Sequence, residues 1–273
     1  MGVSVGATRR QAGCDGRSDL HNTRRTASGA AMDTDIRQLR IDLAAAFRWA
    51  ARLELHEGIC NHFSLALPGT PERFLINPWG WHWGEITASS LVLCDRDGKV
   101  LEGANEVEPT AMFIHARVHQ KAPQARCVLH THMPHSLALC MIEGGRLEMC
   151  EQNALRFHDR ISYDDTYNGL ALSNDEGDRI AKALGNRSIA FLASHGVVVV
   201  GQSVAEAFDD LYYLERAAKA QVLARSTGGT LRRIDPAIVE KTAEQIAAEK
   251  AQCHRHFEAL KRILDREEPD YKH

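Results

Sequence analysis

The octapeptide LHTHMPHS, residues 129–136, holds three of the fourteen histidines in a chain of 273 residues. His130 and His132 end an apolar run, RCVLHTH, that reads as a β-strand. Alternate strand residues share a face, so both imidazoles point the same way, their Cα atoms about 7 Å apart. Two such rings can bring nitrogens to one ion at about 2.0–2.1 Å. They can equally stand as a polar stripe on a solvated face, and the H-x-H spelling alone does not decide. Pro134 closes the strand at once, and strand ends are where functional groups are commonly presented.

A metal site needs a third ligand. His195, in LASHGVVVVG, falls between two apolar runs. A ring there is buried or half-buried and wants a partner, and Gly196 permits a close backbone approach or a positive φ. A hydrogen-bonded turn histidine would carry the same pattern. His115 and His119 are four apart on a predicted helix and share a face. No acidic residue follows the zincin pattern HExxH between them, so His115 is read as structural. His21, His254, His256 and His273 are read as solvent-exposed.

The elements that must position these groups follow from periodicity and turn chemistry. Residues from Asp33 to about Leu55 place Ile36, Leu39, Leu43, Phe47 and Ala50 at helical spacing. GICNHFSLALPG and RFLINPWG read as short strands, and SSLVLCDRDGKVLEG as a hairpin turning at Asp-Gly. Pro109 opens a helix bounded by Pro123. SLALCMIEGG, SNDEGDRIAKALG and SVAEAFDDLYYLERAAKAQVLARS read as helices, the last two with Ser173 and Ser203 as caps. Residues 234–265 read as one charged amphipathic helix. The stretch between Gly145 and Ser173 is irregular, with Glu151, Gln152, His158 and Tyr163 as polar groups able to reach a neighbouring site. Residues 1–31 lack apolar periodicity and are expected to be disordered, which would also fit initiation at Met32. The expected layout is a disordered or non-native extension over 1–31, a mixed α/β domain over 32–230 and a helical extension over 231–273.

The net charge of −3 gives no reason to expect nucleic acid or an anionic membrane as partner. No apolar run is long enough to span a bilayer, and no secretory signal opens the chain. Seven scattered cysteines without a CxxC pair read as reduced thiols of a cytoplasmic protein.

Taken in order, GICNHFSLALPG, FLINPWG, EITASSLVLCD, FIHARVHQKAPQARCVLHTH and SHGVVVVG resemble the class II aldolase and adducin head-domain family, over roughly residues 36–225. EITASSLV is similar to its adducin-like branch. The resemblance implies a three-layer α/β/α fold around a mostly antiparallel sheet. It also implies a ring-like homotetramer with active sites between subunits, and a divalent metal held by His130, His132 and His195. Zinc stands first, with manganese, iron or cobalt as alternatives, since three imidazoles suit each. Aldolases of the family cleave a carbon–carbon bond through a metal-stabilised enediolate; other members are epimerases, decarboxylases or iron oxygenases, and adducin is not known as an enzyme.

Two departures from the aldolases matter. Their helix-start glutamate, counted back from His115 and Pro123, falls on Ala111; Glu108 stands close before it as a stand-in. The phosphate-binding loops correspond to His62, to Trp79 and Gly80, and to Pro109 and Thr110. Phosphate wants backbone N–H groups and small side chains, whereas Trp79, Trp81 and Trp83 favour a planar or apolar ligand. The reading is a metal-dependent lyase, retro-aldol or decarboxylating, on a non-phosphorylated hydroxy-carbonyl or hydroxy-acid. His62 and Glu108 would move protons, and Trp79, Gly80 and Thr110 would bind substrate. A non-haem iron oxygenase and a non-catalytic adducin-like module are the rivals.

Overall fold

The computed structural model describes residues 1–3, 19–249 and 251–273, with side chains in 1–3 and from residue 35 onward, Lys250 excepted. Met1–Arg37 and Gln38–His273 are separate compact units. The first helix, α1, spans Asp19–Arg52, a start earlier than the Asp33 expected. Cap signals in this alanine-containing stretch do not stop a helix. The expectation for residues 4–18 lies outside the described residues.

The second unit is built on one eight-stranded sheet. Its strands are β1 (His62–Leu67), β2 (Thr70–Ile76), β3 (Val92–Asp95), β4 (Val100–Glu102), β5 (Cys127–Thr131), β6 (Ile161–Asp164), β7 (Ile189–Leu192) and β8 (Gly196–Gly201). The spatial order is β4-β3-β2-β1-β5-β8-β7-β6. All pairs are antiparallel except β6 with β7. Hydrophobic β1, β5, β7 and β8 are buried on both faces, as central strands covered by helices must be.

The helices are α2 (Pro109–Lys121), α3 (Pro134–Cys140), α4 (Asn174–Leu184), α5 (Val204–Ser226), α6 (Pro236–Ala248) and α7 (Ala251–Glu267). On one face α2 and α4 pack Ile114, Val118, Ile180 and Leu184 against Val128, Ala190, Val198 and Val200. On the other, α1 sets Phe47 on Phe63 of β1 and on Trp83, and α5 covers β5 and β8. The layers are therefore α/β/α, as the sequence led us to expect.

Three local readings change. The irregular stretch contains β6, whose half-buried ISYD lacks clean alternation. The charged helix over 234–265 is two helices, α6 and α7, interrupted after Ala248. Its face is also not wholly solvated: His256 Nδ1 lies 2.7 Å from Asp209 Oδ1, and Trp49 Nε1 donates to the Leu260 carbonyl. The residues after α7 are tied down too. Arg48, buried in α1, donates to Ile86 O, Glu268 and Asp270, and Ala88 N donates to Tyr271 O. Among the described residues no helix is long and apolar enough to cross a membrane.

Candidate metal centre

Register in the middle of the sheet assembles the site. His62 is the cross-strand partner of His130, and His130 of Val198. One residue past β5, His132 lies on the same side as His130. His195 sits in the β7–β8 turn, after Ser194 at φ 56°. Gly196 follows because nothing larger fits: a Cβ there would stand 2.5 Å from Thr131 O and 2.7 Å from His132 Cδ2.

One nitrogen from each of His130, His132 and His195 lies within 4.8 Å of the other two. Ring centroids are 5.1 Å apart for His130 and His132, 4.8 Å for His130 and His195, and 5.1 Å for His132 and His195. The outer nitrogens of two of them are engaged in a way that fixes the proton. His130 Nδ1 lies 3.0 Å from Val197 O, and a carbonyl only accepts, so Nδ1 carries the hydrogen. His132 Nδ1 donates to Glu57 Oε2 at 2.6 Å, and His132 N donates to Asn61 Oδ1. His132 Nε2 is buried with no partner. Three imidazole nitrogens facing one another, two of their rings backed by acceptors, have the chemistry of a candidate three-histidine divalent-metal site. The residues fit that group.

Burial, with its imidazole neighbours, lowers His195 to about 4 and holds His130 well below the usual histidine range. That keeps both of these rings neutral, the form that binds metal.

The residues expected to act around the metal are partly gathered here. His62 stacks on His130 at 5.1 Å, and its Nε2 lies 3.7 Å from Glu108 Oε2. Burial, then His132 and His195, lower His62 to about 3. Glu108 caps α2: its carboxylate accepts from Ala111 N at 2.8 Å and from the Thr110 hydroxyl. The Ala111 side chain is buried, so Glu108 presents its carboxylate one turn before the position counted from the aldolase pattern. Thr110 thus orients Glu108. Trp79 is half exposed, and its backbone N–H donates to the Glu106 carbonyl, which ties the loop carrying Trp79 and Gly80 to the loop leading to Glu108.

Other readings separate. Trp83 is fully buried against Phe47 and Phe63, so it is core and not site. His115 is buried and touches His62. Glu151 is spent on Asn153 N and Ala154 N, and Tyr163 Oη on Leu147 N. Two groups had no sequence signal: Glu57, in a loop 75 residues before His132, and Tyr167, whose ring lies 6.4 Å from His195.

Residues 41–222 match the family model described as class II aldolase and adducin N-terminal domain. A Pseudomonas aeruginosa protein, whose name marks its class 2 aldolase assignment as provisional, is 36% identical over 241 residues, 86% of this chain and 92% of its own. Alpha-adducin of Mus musculus is 30% identical over 261 residues, covering 89% of this chain but 35% of adducin. A crystal structure of an aldolase II superfamily protein from Pseudomonas syringae superposes with TM-score 0.81 at 34% identity, over 87% of this chain and 96% of that one. L-fuculose 1-phosphate aldolase from Glaciozyma antarctica shares the fold, with TM-score 0.77 at 22% identity over 88% and 94% of the two chains. A three-histidine centre at the end of β5, on this sheet order and with these relatives, makes the chain a member of the class II aldolase and adducin family.

Proposed function

We propose that the protein is a divalent-metal-dependent carbon–carbon lyase, retro-aldol or decarboxylating, acting on a non-phosphorylated hydroxy-carbonyl or hydroxy-acid. The observation that carries this is the convergence of His130, His132 and His195, with His132 Nε2 buried and without a partner. A bound metal, zinc first, would supply Lewis acidity to the charge that develops when the carbon–carbon bond breaks. The chain's own residues do the rest. Glu57 and the Val197 carbonyl orient the ligand rings. His62, stacked on His130, and Glu108, 3.7 Å from its Nε2, would together move a substrate proton. Trp79, half exposed on the neighbouring loop beside Gly80, offers an aromatic face to a planar or apolar substrate portion. Exposed Met141, Ile142, Leu170 and Leu172 support the homo-oligomer that belongs to this reading; sedimentation tests it.

The test is the metal content of purified protein by plasma mass spectrometry, wild type beside His132→Ala. Near-stoichiometric metal that the variant loses supports the lyase, and iron would direct attention to oxygenation. Metal in neither protein, before or after reconstitution, overturns it and favours an interaction module like adducin.

A further inference from the structure

Behind His62 runs a line of buried polar side chains that no metal ligand needs. His62 Nδ1 lies 3.1 Å from His115 Nε2. His115 Nδ1 is hydrogen-bonded to Ser64 Oγ. Ser64 Oγ lies 2.7 Å from His119 Nε2, and His119 Nδ1 lies 2.7 Å from Ala125 O. All four side chains are buried. They join β1 to the inner face of α2 and to the turn before β5.

The far end gives this line a direction. Ala125 O is a carbonyl and can only accept, so His119 carries its proton on Nδ1. Burial lowers His119 to about 4 and holds His115 well below the usual histidine range, so neither ring is doubly protonated near neutrality. His119 Nε2 is then an acceptor and takes the Ser64 hydroxyl proton. Ser64 Oγ in turn accepts from His115 Nδ1–H. That leaves His115 Nε2 bare, to accept from His62 Nδ1–H. The opposite polarity would set a nitrogen lone pair against the Ala125 carbonyl oxygen in a buried place, which is costly.

We propose that Ser64, His115 and His119 are positioning residues that pin the proton of His62 on Nδ1, so that a bare Nε2 faces the Glu108 carboxylate and the substrate group received between these two acceptors is a hydroxyl. Glu108 already accepts from Ala111 N and Thr110; with two acceptors 3.7 Å apart, a keto or ether oxygen finds no donor there, and a hydroxyl does. The use of this device in catalysis rests on the lyase reading, but its existence does not: metal content decides the one and proton location the other.

The experiment is long-range proton–nitrogen correlation NMR on histidine-labelled protein, zinc-loaded and metal-free, with rings assigned by single substitutions. His62, His115 and His119 are each expected to show a protonated Nδ1 and a bare Nε2. In His119→Phe, Ser64 loses its acceptor, turns its hydroxyl to His115 Nδ1 and reverses the line, so the His62 proton moves to Nε2; His119→Gln, which can still accept from Ser64, restores the native form. A wild-type His62 protonated on Nε2 overturns the proposal whatever the variants do, as does a His62 signal unmoved by His119→Phe. Glycolate added to zinc-loaded protein is expected to shift His62 Nε2, and methoxyacetate is not; equal shifts, or none from either, overturn the hydroxyl assignment.

Discussion

His62 and His130 are cross-strand partners whose rings stack 5.1 Å apart, 27° from parallel. One register thus sets both the proposed proton-transfer group and a proposed metal ligand, and slippage by one residue would turn His62 to the other face of the sheet. His130, in β5, and His132, one residue past it, differ in what else they hold. His130 is buried and donates to Val197 O, whereas His132 is half-buried at the rim. Replacing His130 by alanine should cost about 2–4 kcal/mol in metal-free protein, from a cavity and an unmet carbonyl. His132→Ala should cost about 1 kcal/mol or less. Urea unfolding of both variants checks the contrast.

Glu57 touches no substrate position we can name, yet its carboxylate holds the His132 ring. Glu57→Ala should weaken metal binding by about 10- to 100-fold while leaving thermal stability of the metal-free protein nearly unchanged. Competition with a chromogenic chelator measures the first, and a melting curve the second.

Gly196 has no room for a methyl group between Thr131 O and His132 Cδ2, and its φ of 154° suits few L residues. Gly196→Ala should push His132 aside. Loss of bound metal and roughly 2–4 kcal/mol of destabilisation are expected, read by metal analysis and denaturant unfolding together.

Buried His119 is neutral in the fold, lowered from 6.5 to about 4 chiefly by burial. Between those values the unfolded chain binds the extra proton and the folded one does not, so stability rises with pH across the window. Its contribution to this dependence is complete above about pH 6.5 and is lost as the pH falls towards 4, amounting to roughly 3 kcal/mol. His115, lowered in the same direction, steepens it. His119→Phe should flatten the pH dependence of unfolding free energy between pH 4 and 6.5 in metal-free protein; an unchanged slope would contradict the assignment.

Arg48 is buried, with its guanidinium shared among Ile86 O, Glu268 and Asp270. A chain ending at Glu267 strips that charge of both carboxylates, leaves it only the Ile86 carbonyl, and removes the buried Tyr271. Its unfolding free energy should fall by roughly 3 kcal/mol or more, measured in urea against the full chain.

Much of the fold and the site is legible in the sequence. The alternation that puts His130 and His132 on one face is a property of any strand, and Gly196 after His195 announced a close approach. Pro109 and Pro123 bounded α2 to within two residues. What could not be read was whatever depends on strands meeting. His115 and His119 are visible as a pair on one helix face, but that the face looks at Ser64 and His62 follows only from β1 lying beneath α2. Glu57 sits in a loop with no periodicity, so no spacing links it to His132. Trp79 and Trp83 are spelled alike, and only the packing of Phe47 and Phe63 makes one a core residue and leaves the other at the surface.

The placement of His132 has a consequence for how such a chain changes over generations. It stands beyond the last residue of β5, half-buried, with an exposed carboxylate behind it, and the apolar packing of the sheet asks nothing of it. On the proposed reading, a single altered codon there would silence the metal centre and leave a sound scaffold. The architecture can therefore outlive its chemistry, and a lineage that abandons catalysis keeps a ready-made folded platform for other work.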